Sequence, residues 1–530
     1  MNLPQRRFCW KGGKIKMFLF FIAVVLTGSS SGARILVIMP NPAPSFTRSF
    51  QPLFRELAER GHEVTAYTVF PLPPPVPPSY REVIVDNVFI SSPRMGNYLK
   101  DIKDYSNSGL TNYALFLWEF GLMLAEEVLK TSAFQELIKS DESYDLIIDN
   151  SIIYFEPIAG FRHKFNCPSI NLFPNSPNQM LSGITGNPLP YAYIPYHNLP
   201  YNSSMSFWQR MRNTYMGLIS DLGNRLYYLP QQDVIMHRYF NDPNMPSLTT
   251  LLSRARVSLL DTHVLLDYPR PYLPGTVLVG GMITPKSNNI PQDLKKWLET
   301  AEEGFVYFSL GSVMRFGTLS STQRAAILNT FGKLKFPVLL KWESDNTDKL
   351  PANVRAETWV SQADILAHPN CRLFVTHGGL HSLLESLHYG VPLVGLPIFG
   401  DQVHNLVNLQ HRGVATFLPL DQLQESTFTR AINLILHDEK VQANAKRLSA
   451  IVQDQPMTPL ETAIFWVEYS LRHEGAQHLR SAANDLSWHQ QLFLDIILFI
   501  VVVIIAIFMF TKYILKLIIN NVCISKKKRD

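Results

Sequence analysis

The chain has 530 residues, too many for one ordinary domain and enough for two with a core each. Its 48 Lys and Arg against 43 Asp and Glu leave a net charge of +5, but the excess lies largely in the two ends, so it is no argument for nucleic acid and none is expected as a partner. Cys9 and Cys523 lie near the ends, and Cys167 and Cys371 far apart between them, which argues against a disulfide framework; no metal-ligand spacing is present and no metal is expected.

Taken in chain order, the apolar run Met17 to Leu26 follows Arg6, Arg7, Lys11, Lys14 and Lys16 and precedes the small residues "TGSSSGA". That matches a secretory signal over residues 1–33, cleaved near Gly32 or Ala33; a membrane anchor is the alternative, for which the run is short of the usual ~20 residues. From Arg34 the pattern is strand ("RILVIM"), proline-rich loop, helix (Ser49 to Arg60) and strand ("EVTAYT"). Phe50, Leu53, Phe54, Leu57 and Ala58 recur at helical spacing, and Gly61 supplies the left-handed stop. "PLPPPVPPSY" is a proline-rich excursion without a functional signal, and "YDLIID" (Tyr144 to Asp149) reads as a buried parallel strand. Asn187 to Phe207 is a long loop of Tyr and Pro, either a pocket wall or a surface excursion, and within it Asn202 heads a glycosylation sequon with Ser203 and Ser204.

Breakers cluster from Pro269 to Pro291, placing an expected linker at 276–290 between a first α/β domain (34–275) and a second (291–485, with a return helix). Beyond the linker "GFVYFSL", "PVLLKW", "CRLFVTH" and "VPLVGLP" read as strands, with helices over Thr322 to Lys333 and "GGLHSLLESLHYG". The implied architecture is α/β: two doubly wound, Rossmann-like halves facing across a cleft. Ile496 to Phe510 is the most apolar stretch, and its flanks extend it to an expected transmembrane helix over 492–514, the contact with the lipid bilayer. The basic tail, 515–530, predicts a cytoplasmic end and a luminal bulk, a single-pass type I topology. Lys527 and Lys528 stand fourth and third from the end, as in the dilysine retrieval signal of endoplasmic reticulum proteins; a stop-transfer cluster is the alternative. No small-xxx-small motif supports self-association of the span, and an oligomer with itself or with relatives stays open.

Ligands of doubly wound sheets sit at the carboxyl ends of the strands, and three such ends are polar here. "VTHGG" places His377, Gly378 and Gly379 before a helix that carries Ser382 and Glu385, where backbone amides and the helix N-terminus favour a phosphate. Alone, a His-Gly-Gly at a helix start reads as a capped turn. "PIFGDQ" adds Asp401 and Gln402, and "YFSLGS" adds Ser309, Gly311 and Ser312, so a polyhydroxylated, phosphate-bearing ligand fits the combination.

The segment Trp359 to Gln402, "WVSQADILAHPNCRLFVTHGGLHSLLESLHYGVPLVGLPIFGDQ", resembles the signature of the UDP-glycosyltransferases of animal membranes, and the similarity runs from "RILVIMP" to the transmembrane segment. The resemblance implies the two-Rossmann GT-B fold, a UDP-sugar as co-substrate (UDP-glucose or UDP-glucuronate), no metal, and a small lipophilic acceptor. Carried over, it puts Trp359 on the uracil face, Gln362 near the base or ribose and Glu385 on the ribose hydroxyls. His377, Gly378, Gly379 and Ser382 would hold the diphosphate, Ser309 and Gly311 its end of the site, and Asp401 and Gln402 the sugar.

The first domain departs from the family pattern. Members place a histidine, the general base, in a first loop like Pro-x-Pro-x-x-Ser-His, and here "PNPAPSF" puts Phe46 at that position. The carboxylate that orients it falls, by register, on Asn150, with Asp149 one place early and facing the other way along a strand. Neither residue takes a proton, and losing a general base typically costs ~10²–10⁴-fold. No catalytic residue is therefore assigned; His62, His197 and His404 are weak substitutes by position. An active transferase and a nucleotide-sugar-binding pseudoenzyme both fit, while a simple lipophile carrier has no use for Glu385, Asp401 and Gln402.

Overall fold

Strand β1 (Arg34–Met39) is an interior strand of the first sheet, and Ile35 through Met39 are fully buried, as its unbroken apolar run requires. Helix α1 (Pro44–Glu59) follows and returns the chain to β2 (Glu63–Thr68), which pairs parallel with β1, the strand-helix-strand unit that sequence patterning implied. The helix starts five residues before the expected Ser49: proline suits a first helical turn, where its missing N–H is not needed. Phe46 therefore lies in the first turn of a helix and not in a loop.

After β3 (Tyr80–Ile84) a long helix, α2 (Leu110–Lys130), precedes β4 (Leu146–Asp149), and β5 (Ser169–Phe173), β6 (Val257–Leu260) and β7 (Thr276–Leu278) complete a parallel sheet of order β3-β2-β1-β4-β5-β6-β7. The second sheet is also parallel. Strands β8 (Phe305–Ser309), β9 (Val338–Lys341), β10 (Val354–Glu357), β11 (Cys371–Thr376), β12 (Leu393–Gly395) and β13 (Ala415–Phe417) stand in the order β10-β9-β8-β11-β12-β13. The computed structural model describes residues 32–95, 109–282, 290–311, 316–342 and 350–527; the expected signal, apart from residues 32 and 33, and residues 283–289 of the expected linker lie outside them.

Three boundaries need correction. Residues 276–278, expected in the linker, form β7 and pair with β6, so the first domain runs past residue 275. Helix α6 (Pro459–Arg472) crosses back, and its Ala463, Ile464 and Val467 are buried in the core of β1 and α1; this return helix belongs to the first domain's core and not the second's. Helix α7 (Leu494–Lys527) has an apolar stretch from Leu494 to Asn521, 28 residues and wholly unburied, longer at its far end than the expected 492–514. At ~1.5 Å per residue it is long enough to cross a bilayer core of ~30 Å.

The domains are also seamed near the cleft. Just after β6, Leu265 and Leu266 enter the second domain's core, and Asn408 Nδ2 donates to their carbonyls at 3.2 and 2.8 Å. That seam seats the turn after β6 in the second domain.

Candidate active site

Strand order reverses between β1 and β4 in the first sheet and between β8 and β11 in the second, and both crevices open at strand carboxyl ends. In the second, Ser309 pairs in register with Thr376, so the "SLG" and "HGG" turns lie side by side. The His377 ring fills the space between two glycines. A Cβ on Gly311 would stand 2.6 Å from its Cε1 and one on Gly379 2.5 Å from its Nε2, so a side chain at either would evict the ring. Burial, with the charges of Lys341 and His381 adding, pushes His377 down to about 4. It is a neutral imidazole at physiological pH, able to donate one N–H beside the amides that open helix α4 (Leu380–Tyr389).

One turn further, Gln362, at the start of the short helix α3 (Gln362–Leu366), donates from Nε2 to Glu385 Oε2 at 2.6 Å and to Ser382 Oγ at 3.1 Å. Burial raises the Glu385 carboxyl above its ordinary value, against the opposing Gln362 hydrogen bond and the His381 charge. Trp359 is 61% exposed, which rules out core packing; the Arg48 guanidinium of α1 lies 4.9 Å and Lys341 Nζ 5.5 Å from its ring centre. Arg48 reaches it from the first domain, across the cleft.

The third expected strand end leads into helix α5 (Gln402–His411). Asp401 Oδ2 accepts from Asn405 Nδ2 at 2.7 Å, and burial raises the Asp401 carboxyl. Gln402 Oε1 accepts from the backbone N–H groups of Ile398 and Phe399 at 2.7 and 3.1 Å, and its Nε2 takes no part in those bonds. Tyr113, on α2 and without a signal in the sequence, approaches Gly400 and Asp401 from the opposite domain, and burial pushes its phenol up to about 12. In the long loop, Asn202 Oδ1 accepts from Ser204 N at 2.8 Å.

In the first domain Asn150 is fully buried and donates from Nδ2 to Leu172 O at 2.8 Å and Ile152 O at 3.3 Å. It ties two strand ends together and takes no part in a proton relay. Asn150→Asp is expected to cost about 1–3 kcal/mol, because a carboxylate would face two carbonyl oxygens with no proton to share; a lower thermal midpoint of the full-length variant checks it. Asp149 is held by Arg162 in a fully buried ion pair, Nη2 to Oδ1 at 2.7 Å and Nε to Oδ2 at 2.8 Å. His62 Nδ1 accepts from Ala33 N at 3.1 Å, at the opposite end of β1 from the cleft. His197 and His404 are pushed down to about 4 and about 3, by burial first.

What faces Phe46 is a histidine that sequence reasoning passed over. His381, in the first turn of α4, has its ring centre 5.8 Å from that of Phe46, and its Nε2 lies 2.8 Å from Oδ2 of Asp261, the residue that follows β6. The i, i+4 spacing of His381 and Glu385 was a readable signal. Asp261 had none, being 120 residues away in the other domain.

Two facing doubly wound sheets, with a glycine-lined, helix-capped cleft between them, define a GT-B glycosyltransferase. An anthocyanidin 3-O-glucosyltransferase solved in complex with UDP superposes with a TM-score of 0.54 over 84% of this chain and 100% of that one, at 18% identity. Residues 122–530 match the family model described as UDP-glucoronosyl and UDP-glucosyl transferase, and the chain belongs to that family. It is 32% identical to UDP-glycosyltransferase UGT5 of Dactylopius coccus, over 95% of this chain and 96% of that one. It is 28% identical to UDP-glucuronosyltransferase 2A3 of Mus musculus, over 88% and 89%.

Proposed function

We propose that the protein transfers a hexose from a UDP-sugar to small lipophilic acceptors, with inversion at the anomeric carbon, in the endoplasmic reticulum lumen, held there as a single-pass type I protein by α7. The observation that carries this reading is the hydrogen-bonded set of Gln362, Ser382 and Glu385 beside the His377 cradle. Ribose hydroxyls need an acceptor, and Glu385 offers one; a diphosphate needs donors, and the α4 amides, Ser382 and neutral His377 offer them. Trp359 supplies an exposed ring on which uracil can stack, and Asp401 with the Nε2 of Gln402 suits sugar hydroxyls. An acidic group at the sugar end repels a glucuronate carboxylate, so UDP-glucose is the donor this chemistry favours.

A second reading, a nucleotide-sugar-binding regulator of active relatives, rests on Phe46 and Asn150 standing where the family resemblance expects a base and its partner. Membranes carrying the full-length chain separate the two. UDP-[¹⁴C]glucose is expected to bind and to be consumed with UDP release when a pool of phenols is added. Binding without turnover over any phenol, amine or thiol acceptor selects the regulator; absence of binding removes both.

A further inference from the structure

The cleft places a His and an Asp against each other where the usual base position has been lost. We propose that His381, oriented by Asp261 from the opposite domain, is the general base that deprotonates the acceptor. This rests on the transferase reading above.

His381 stands between the two halves of the reaction. On its own helix, one turn away, is Glu385 of the donor cluster; opposite it is Phe46, at the acceptor side; the cradle residue His377 precedes it by four. Its side chain is 20% exposed, so the ring is not sealed off from a ligand, while that of Asp261 is 2% exposed. Asp261 Oδ2 and His381 Nε2 approach to 2.8 Å, yet neither atom has a well-directed hydrogen bond. Such pairs are commonly misaligned before substrate binds and tighten in the complex. Asp261 is held at its backbone, where its N–H donates to Phe173 O of β5 at 2.9 Å, and the turn that follows it is seated in the second domain by Leu265 and Leu266.

Phe46 then has a role that its chemistry allows. Its ring, 5.8 Å from the imidazole and tilted by 56° to it, is an apolar neighbour of His381 and gives it no competing hydrogen-bond partner. The charged groups that act on His381 are Asp261 after β6, Glu385 on α4 and Asp401 before α5, and His381 in turn lowers the neighbouring His377 at the end of β11. Burial alone lowers the basicity of His381, but the three carboxylates outweigh that and raise it above the ordinary value.

In the step itself Nε2–H donates to the Asp261 carboxylate, which leaves the Nδ1 lone pair to accept the acceptor's proton. The acceptor oxygen forms its bond to the anomeric carbon as the bond from that carbon to the β-phosphate oxygen breaks, and that electron pair leaves on UDP. The imidazolium so formed is balanced by Asp261 and later returns its proton to water. Asp261 is a positioning residue.

The test uses full-length chain in membranes, with phenol and thiophenol as acceptors and UDP-glucose binding measured separately. His381→Gln is expected to bind UDP-glucose as the native chain does and to lose ~10²–10⁴-fold in kcat with phenol. With thiophenol, whose thiolate needs no base, it is expected to lose less than about tenfold. In the native chain, phenol transfer should rise with pH through the His381 pKa and then level, since only the neutral ring accepts a proton. Asp261→Asn should move that rise to lower pH, because the imidazolium loses its partner. Equal losses with both acceptors, an unchanged rate in His381→Gln, or a native rate that falls as His381 deprotonates would each overturn the proposal. So would a native chain that binds UDP-glucose without transferring it, and there the donor-site reading survives; a chain that does not bind it takes down the donor-site reading as well.

Discussion

Arg162→Met is expected to destabilise the folded chain by about 3–5 kcal/mol, the range for breaking a buried ion pair on one side only. Arg162 is 1% exposed and uses its whole guanidinium. Nε and Nη2 hold Asp149, Nη2 also reaches Ser151 and Asn171, and Nη1 donates to the carbonyls of Leu251 and Leu252 at 3.1 and 3.0 Å. The methionine fills much of the volume but supplies no donor, so the Asp149 carboxylate is left buried without its countercharge, holding only the Ser151 N–H, while Leu251 O keeps Arg254 N–H and Leu252 O loses its Arg162 donor. The loss should appear as a lower thermal midpoint of the detergent-solubilised full-length protein. Adding Asp149→Leu to Arg162→Met removes the orphaned charge and should recover a large part of it, since replacing both members of a buried pair is often close to neutral. If the double variant is no more stable than Arg162→Met, the carbonyls of Leu251 and Leu252 and not the ion pair carry the effect. Either way Asp149 is spoken for structurally, which is the physical reason it cannot stand in for the missing partner at Asn150.

The contrast between Asp149 and His381 marks what the sequence could and could not disclose. Strands such as β1, β4 and β11 announce themselves because a parallel strand covered on both faces must be apolar throughout, and the loops after them must carry any polar ligand-binding groups. The second domain's polar residues were therefore readable, because the turns that carry them directly follow such strands. The start of helix α1 is ambiguous in the sequence because proline serves both as breaker and as first helical residue, and β7 is hidden within a stretch dense in prolines. Helix α6 is amphipathic, but nothing in its sequence says which domain receives its apolar face. Pairings across the cleft, Arg48 on Trp359, Tyr113 near Asp401 and Asp261 on His381, depend on how two separate sheets face each other. No local periodicity encodes that. His381 lies inside the His377 to Glu385 stretch, whose pattern on its own speaks for phosphate and ribose, so nothing local in the sequence marks it as a base.

Glu385→Ala should weaken UDP-glucose binding about 10²-fold, the second large effect. The carboxylate lies at the meeting point of Gln362 and the expected ribose, and hydrogen bonds to a charged acceptor contribute ~1.5–3 kcal/mol each. Two such bonds to ribose would exceed the expected loss, but the native site already carries the cost of a buried carboxylate, visible in its raised pKa, and alanine relieves it. Glu385→Gln keeps the shape and an oxygen for Gln362 but not the charge, and should fall between the two, about tenfold weaker than native. Affinity alone does not show which hydroxyls Glu385 reads, because truncation also frees Gln362. UDP-glucose lacking the ribose 2′-hydroxyl separates the effects: the native chain should bind it less tightly than UDP-glucose, and Glu385→Ala should hardly distinguish the two. If Glu385→Ala still prefers the intact ribose by the native ratio, Glu385 only braces Gln362, and the ribose is held by another group in the cleft.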